Sequence, residues 1–404
     1  VTNTPLFVLV ASSTAKGFLR HIKRHSLCLA EWRWRNSNMN RPLDKITIRG
    51  FKSIRSLEDF ELRNLNVLIG ANGAGKSNFI EFFHMVLAMM KTDGLKQFAA
   101  GNADAYFFGG PKTTGTINIQ MRFGVNGFDF DLSPTEDGFF LIHNEHRHFF
   151  GSSQRTRKLG SGHFDSKLID DQKRPGREAE HGASWHTYQA IRSWMIYHFH
   201  DTSTLAGMRR YHDQGHNEAL FMDGANIAPF LLKLKTADSR CYSEILGAIR
   251  LVIPFFDDFI LEPNAQEKLR LNWRQKGIHD YLMRPSHLSD GSIRFICLAA
   301  ALLQPKPPST IIIDEPEIGL HPEALGILGE LVHDAAKRTQ VILATQSATL
   351  INEFSIEDIV VVNRKDGQST FERLNKTEFS DWLEDYSVGD LWTKNVIAGG
   401  ATYE

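Results

Sequence analysis

At 404 residues the chain is long enough for one composite domain with insertions or for two smaller cores. Lys and Arg number 46 against 47 Asp and Glu, a formal net charge of −1, which excludes a global field drawing the protein onto nucleic acid or an acidic membrane surface; such binding needs a local patch. Three scattered cysteines, Cys28, Cys241 and Cys297, form no CxxC pair, and no apolar run approaches the ~20 residues of a membrane span, so a soluble protein of the reducing cytoplasm is expected.

Residues 5–13 are apolar like the centre of a secretory signal, yet no basic segment precedes them, and residues 14–38 turn basic and Trp-rich without a period. Met39-Asn40-Arg41-Pro42 then leads into a strand-like pattern. Residues 1–38 therefore read as an extension from an upstream start or as a basic arm, with the domain proper beginning near Met39. Strands follow at 46–49 and 59–62 around a Phe51-Lys52-Ser53 turn, and a third at 66–69. After a glycine-rich loop, residues 78–90 place Phe79, Phe82, Phe83, Val86, Leu87 and Met90 at the spacing of a helix facing a core.

Alternation through Ile117, Ile119, Met121 and Phe123 and then Phe128, Phe130 and Leu132, with Asn126-Gly127 between, predicts antiparallel hairpins turning at that Asn-Gly. Residues 151–184 are polar, Gly-rich and basic, carrying Arg155, Arg157, Lys158, Lys167, Lys173, Arg174 and Arg177, and read as a loop. Residues 217–252 have a helical period, and 259–273 return to strand-like alternation. From Leu288 a helix (292–303), a strand (310–313), a helix (322–337) and strands at 340–344 and 359–363 give the alternation of a parallel sheet. No internal repeat or sustained heptad pattern is present.

The loop Gly70-Ala71-Asn72-Gly73-Ala74-Gly75-Lys76-Ser77 fits GxxxxGK[ST] at every fixed position, between strand and helix. Its glycines let backbone N–H groups curl around phosphates, Lys76 reaches the β and γ phosphates, and the Ser77 hydroxyl suits Mg²⁺. The set Asn72, Gly73, Ala74, Gly75, Lys76, Ser77 and Asn78 is thus the candidate ATP site, against the bland alternative of a chance glycine turn. The apolar strand Thr310-Ile311-Ile312-Ile313 ends in Asp314-Glu315-Pro316. Neighbouring carboxylates on a strand end point to different sides, so Asp314 would serve Mg²⁺ and Glu315 the attacking water. A solvated strand end is the plain alternative, weakened by the P-loop upstream. Leu288-Ser289-Asp290-Gly291-Ser292-Ile293-Arg294 opens a helix and offers a hydroxyl and N–H groups to an anion, although Ser-Asp-Gly is also an ordinary N-cap.

This order of P-loop, LSxG-type segment and Asp-Glu strand resembles the ABC-type ATPases of the RecF and SMC class, and within them the short AAA family ATPases without a long coiled coil, many of them tied to bacterial defence. Residues 46–53 (ITIRGFKS) resemble the first strand of that family, and residues 314–322 (DEPEIGLHP) its Walker B and D-loop segment. The match covers about 43–110 and 285–363. It implies an α/β P-loop NTPase of ABC/RecF type, a mixed sheet with an antiparallel β subdomain and a helical insertion. The domains expected are a first lobe at 39–150, an insertion at 151–285, a second lobe at 286–363 and a tail at 364–404. The resemblance further implies that ATP with Mg²⁺ clamps two copies together, with Ser289, Asp290 and Gly291 reaching the nucleotide of the neighbour. Two departures stand out: the LSGGQ-type segment carries Asp290 and Ser292, and the switch position usually filled by His reads Thr345-Gln346-Ser347. Gln346, counted with Glu315 and Lys76 as catalytic, can hydrogen-bond but cannot take a proton at neutral pH, which implies slow turnover. His321, before Pro322 at a helix start, reads as structural or catalytic.

Three weaker features stay open. His198-Phe199-His200-Asp201-Thr202 reads as a metal site or, by position, as a structural or phosphate-sensing loop between lobes. The basic stretch 146–177 reads as a DNA contact or a solvated face. Trp382, Tyr386 and Trp392 among Glu378, Asp381, Glu384, Asp385 and Asp390 read as partner anchors or as core cover. The leading expectation is an ATP-hydrolysing dimeric clamp or switch in antiviral defence or DNA maintenance, controlling a second, effector subunit. The alternatives are a RecF-like DNA-binding repair factor using ATP to regulate residence, and a partner-binding subunit of a defence complex. A membrane transporter is set aside on the ITIRGFKS strand and the missing switch His.

Overall fold

The computed structural model describes residues 41–173, 182–278 and 280–397. The leader 1–38, Cys28, Met39, Arg174 and Arg177 lie outside the described residues, as does the end of the tail. Two compact units emerge: a P-loop unit of the described residues up to Ile196, Pro308–Glu315 and those from Thr339 onward, and a helical unit of Tyr197–Pro307 and Pro316–Arg338.

In chain order the strands of the P-loop unit are β1 (Lys45–Phe51), β2 (Ile54–Glu61), β3 (Leu65–Ile69), β4 (Ile117–Phe123), β5 (Asn126–Pro134), β6 (Phe140–Phe149), β7 (Arg155–Gly160), β8 (Met195–Tyr197), β9 (Thr310–Asp314), β10 (Gln340–Thr345), β11 (Ile359–Lys365) and β12 (Gln368–Arg373). Its helices include α1 (Lys76–Met89), α2 (Ala348–Ile351), α3 (Trp382–Asp385) and α4 (Val388–Thr393). One sheet is antiparallel, in the order β2-β1-β4-β5-β6-β7. The other runs β12-β11-β3-β10-β9-β8, with β11, β3, β10 and β9 parallel and β12 antiparallel to β11. The two sheets read differently in sequence for a physical reason. Every residue of β3 is buried, as parallel strands covered on both faces require, whereas β4 alternates buried with exposed because only one face meets the core. That core is aromatic: Phe79, Phe82 and Phe83 of α1 are fully buried, and Phe83 meets Trp194 edge-on at 5.0 Å.

The hairpin expected at Asn126-Gly127 turns two residues earlier. Phe123 pairs with Asn126, so Gly124-Val125 makes the two-residue turn, with Gly124 at a left-handed φ of 61°. Asn126-Gly127 instead begins β5. The stretch 151–184 is likewise more ordered than a loop: β7 pairs antiparallel with β6, and Ala183–Arg192 is a helix. β7 escapes a hydrophobic pattern because it is an edge strand, RTRKLG, whose Arg157 turns toward the buried carboxylate of Asp171 at 3.4 Å. Arg147 of β6 approaches the same carboxylate at 3.4 Å.

The helical unit packs the helices Ile227–Ala237, Ser239–Val252, Asp290–Leu303 and Pro322–Ala336. The expected helix over 217–252 is two helices, parted at Asp238, whose φ of −146° leaves the helix and whose carboxylate caps the second through the Cys241 N–H at 3.0 Å. The strand-like 259–273 resolves into strands Phe256–Ile260 and Asn272–Gln275 paired antiparallel, with the two-residue Lys268–Leu269 paired elsewhere.

Candidate functional site

The P-loop follows β3 and ends at α1, and each glycine in it has its own reason. A Cβ on Gly70 would stand 2.2 Å from the Val362 carbonyl oxygen of β11. Gly73 and Gly75 hold φ of 81° and 116°, where only glycine is unstrained, and a Cβ on Gly75 would meet Ser369 Oγ at 2.1 Å. Asn72 and Gly73 are exposed, Ala74 and Gly75 buried. Lys76 is 5% exposed, and its ammonium donates to the carbonyls of Gly70 (2.6 Å) and Ala71 (3.2 Å), so the charge is held within the loop. Ser77 Oγ donates to Asp314 Oδ2 at 3.3 Å, bringing the end of β9 to the first turn of α1.

Glu315, the next residue, leaves the strand with a left-handed φ of 45° while its N–H still bonds the Ala344 carbonyl at 2.9 Å. A non-glycine residue in that region is uncommon and turns the side chain away from the ladder. Gln346 Nε2 donates to Glu315 Oε1 at 2.7 Å, so the residue at the switch position orients the neighbouring carboxylate. Thr345 and Ser347 fix Gln346 from both sides: the Ser347 N–H bonds Thr345 Oγ1 at 3.0 Å, and Ser347 caps α2 through the Leu350 N–H at 3.2 Å.

A polar chain absent from the sequence reading braces the loop. Asn78 Nδ2 donates to Ser53 Oγ at 2.6 Å, Ser53 and Ser369 share a hydroxyl bond of 2.7 Å, and Ser369 reaches the Ala74 carbonyl at 2.5 Å. With one proton per hydroxyl, the chain runs from Asn78 through Ser53 and Ser369 to the loop carbonyl. Asn78, expected at the nucleotide, is thus tied to the β1–β2 turn. The Ser53 of Phe51-Lys52-Ser53 had a sequence signal; Ser369, a lone serine in β12, had none.

In the helical unit, Ser289 caps Asp290–Leu303 by accepting from the Ser292 N–H at 3.1 Å, and Asp290 pairs with Arg209 at 2.8 Å. A Cβ on Gly291 would lie 2.1 Å from the Gly319 carbonyl oxygen, so glycine here is a packing requirement. Ser289 and Asp290 are exposed. Buried Arg294 gathers three backbone carbonyls, those of Phe199 (2.9 Å), His200 (3.1 Å) and Ile318, and burial pulls its pKa down. It therefore fixes the His198–Thr202 segment and the 316–322 segment together. The His198 and His200 rings lie with centroids 3.9 Å apart, tilted by 57° to one another, yet among the described residues no group of three or more His, Cys, Asp or Glu is placed to hold a metal ion. His321 caps the helix Pro322–Ala336 through Nδ1, a structural role.

Comparisons with known proteins agree with this architecture. Residues 45–173 match the model of the AAA domain, and residues 161–352 match the model described as "AAA domain, putative AbiEii toxin, Type IV TA system". No curated protein matches the chain. Among solved structures, an SMC head bound to the C-winged helix domain of ScpA is similar at 16% identity and a TM-score of 0.54, covering 84% of this chain and 99% of that one. A Pyrococcus furiosus Smc head with an extended coiled coil, bound to the C-terminal domain of ScpA, aligns at 15% identity and a TM-score of 0.48, over 85% and 99%. The SMC head domain from Thermotoga maritima aligns at 15% and 0.45, over 83% and 99%. At these identities the likeness is one of fold. No helix of the described residues is long and apolar enough to cross a membrane.

Proposed function

From the premise that this chain carries AAA domains and has the α/β P-loop fold of SMC heads, we propose that it hydrolyses ATP as a dimeric, nucleotide-gated switch controlling a partner effector. The observation that carries the reading is the meeting of Ser77 and Asp314 at 3.3 Å, with Glu315 next in sequence and held by Gln346. A hydroxyl and a carboxylate are the hard oxygen donors that Mg²⁺ takes, so the pair fits that ion. When bound, Mg²⁺ supplies neutralisation of phosphate charge. The P-loop N–H groups and Lys76 bind the phosphates. Glu315 accepts a proton from, or orients, the attacking water, and Gln346 fixes Glu315 without itself taking a proton. Exposed Ser289 and Asp290, with Gly291, then face the nucleotide of a second copy. The experiment is Glu315→Gln: ATP binding is retained, turnover falls by about 100-fold or more, and an ATP-dependent dimer accumulates in light scattering. Turnover at the native rate would remove Glu315 from this role.

A role in antiviral defence or DNA maintenance, in the cytoplasm, is the setting we infer. DNA binding by the 146–177 stretch is the second reading, favoured by the exposed Arg155 and Lys158 of β7 and weakened by Arg147 and Arg157, which face Asp171. DNA affinity that does not fall with salt would exclude it.

A further inference from the structure

Three aromatic residues of the acidic tail separate into two roles. Trp392 is half-buried on α4, beside fully buried Leu391, but Trp382 and Tyr386 remain 46% and 37% exposed. Their rings lie 6.0 Å apart, Trp382 at the start of α3 and Tyr386 just past its end, so they present one aromatic step to solvent and do not cover the core. Around them Glu378, Asp381, Glu384 and Asp385 are all exposed, and residues 376–394 hold five carboxylates against two lysines. One of those lysines, Lys394, already places its ammonium 5.1 Å over the Tyr386 ring. The chain's own cation thus shows what chemistry this surface takes: ammonium or guanidinium over an aromatic face, in a segment rich in exposed carboxylates.

The step is also mechanically connected. α4 packs on α2, where the Gly389 N–H donates to Asn352 Oδ1 at 2.6 Å, and a Cβ on Gly389 would stand 2.3 Å from the Ala348 carbonyl oxygen. α2 is capped by Ser347, the residue after Gln346, and Gln346 bonds Glu315.

We propose that the Trp382–Tyr386 step is the docking surface for a lysine- or arginine-rich segment of a partner protein, and that docking is relayed through α4 and α2 to Gln346. The relay rests on the ATPase reading above; the docking does not. Large amphipathic aromatics are preferred anchors at interfaces, and the carboxylate rim steers a basic partner and rejects an acidic one.

The test uses the full chain and a fluorescent deca-lysine peptide, followed by anisotropy without nucleotide, with deca-glutamate alongside. Deca-lysine is expected to bind, and Trp382→Ala with Tyr386→Ala to weaken it at least tenfold while the four rim carboxylates stay in place. Trp382→Phe with Tyr386→Phe is expected to restore most of the affinity. An unchanged melting temperature of the alanine pair shows that the fold is intact, as expected for exposed side chains. Absence of binding, equal binding of deca-glutamate, or affinity indifferent to the aromatic pair overturns the docking. So does self-association in sedimentation that disappears in the alanine pair, which would make the surface a contact between copies. The relay predicts that deca-lysine changes ATP turnover of the native chain at least twofold and leaves that of Gln346→Ala unchanged; an equal effect on both overturns it. Absence of ATP turnover by the native chain would sink the ATPase reading while leaving the anisotropy result standing.

Discussion

Gln346 donates to Glu315 across 2.7 Å, from the end of one parallel strand to the end of its neighbour. The bond gives the switch position a task other than proton transfer: it sets where the Glu315 carboxylate points. Removing it in Gln346→Ala should leave ATP binding nearly native and lower turnover about 10- to 100-fold, the usual cost of a misplaced reacting group. Single-turnover kinetics beside equilibrium nucleotide binding separate the two. Matching losses in both would mean that Gln346 acts on the nucleotide directly.

Ser369→Ala removes a nearly buried hydroxyl and leaves the Ala74 carbonyl without that donor. Stability should fall by about 1 kcal/mol, and ATP affinity several-fold, because the loop loses its brace. Chemical denaturation and nucleotide titration check both. Native affinity at reduced stability would make the serine chain a folding feature only.

Ser289→Asp tests the dimer. Aspartate is as good an N-cap as serine, so the helix Asp290–Leu303 should keep its stability, yet a carboxylate now stands where a neighbour's phosphate is expected. Monomeric ATP binding should persist while ATP-induced dimerisation and turnover are lost. A dimer that still forms with ATP would place the contact elsewhere.

Glu145 offers a pH signature. It is fully buried on β6, burial raises its pKa, and the Ser166 hydroxyl and Lys167 N–H only partly offset this. A carboxyl whose folded pKa lies above its unfolded one binds more protons when folded, so its contribution is greatest below the ordinary glutamate value of about 4.3 and is lost as pH rises through the raised value. Nearby His163, lowered by burial, tilts stability the other way below the ordinary histidine range. The clean measurement is therefore a difference: the native chain should lose melting temperature relative to Glu145→Gln as pH rises from about 4. Parallel curves would show that the Glu145 pKa is the same in both states.

What the sequence made legible follows from where each constraint lies. Residues 70–77, the β9 carboxylates and the buried parallel strands were readable because phosphate contact and two-sided burial restrict residue type locally. Ser369 was invisible, since its partners Ser53 and Ala74 are about 300 positions away and any small hydroxyl fits β12. Gln346 is legible from its place in the motif order, but its bond to Glu315 depends on the register of β9 beside β10. The true hairpin turn is hidden because Gly124-Val125 lacks the Asn-Gly pair that usually marks such turns, and β7 is hidden because neither of its faces is apolar.

That same β7 changes what its basic residues mean. Among the described residues it pairs with β6 alone, leaving a row of backbone donors and acceptors at the rim of a six-stranded sheet. Such a rim is a template for uncontrolled strand addition, and arginine and lysine along it are a known deterrent. Arg155 and Lys158, exposed on this strand, therefore have a reason to exist that involves no ligand: like charges on two approaching rims repel, and copies of the chain are kept from zippering into aggregates.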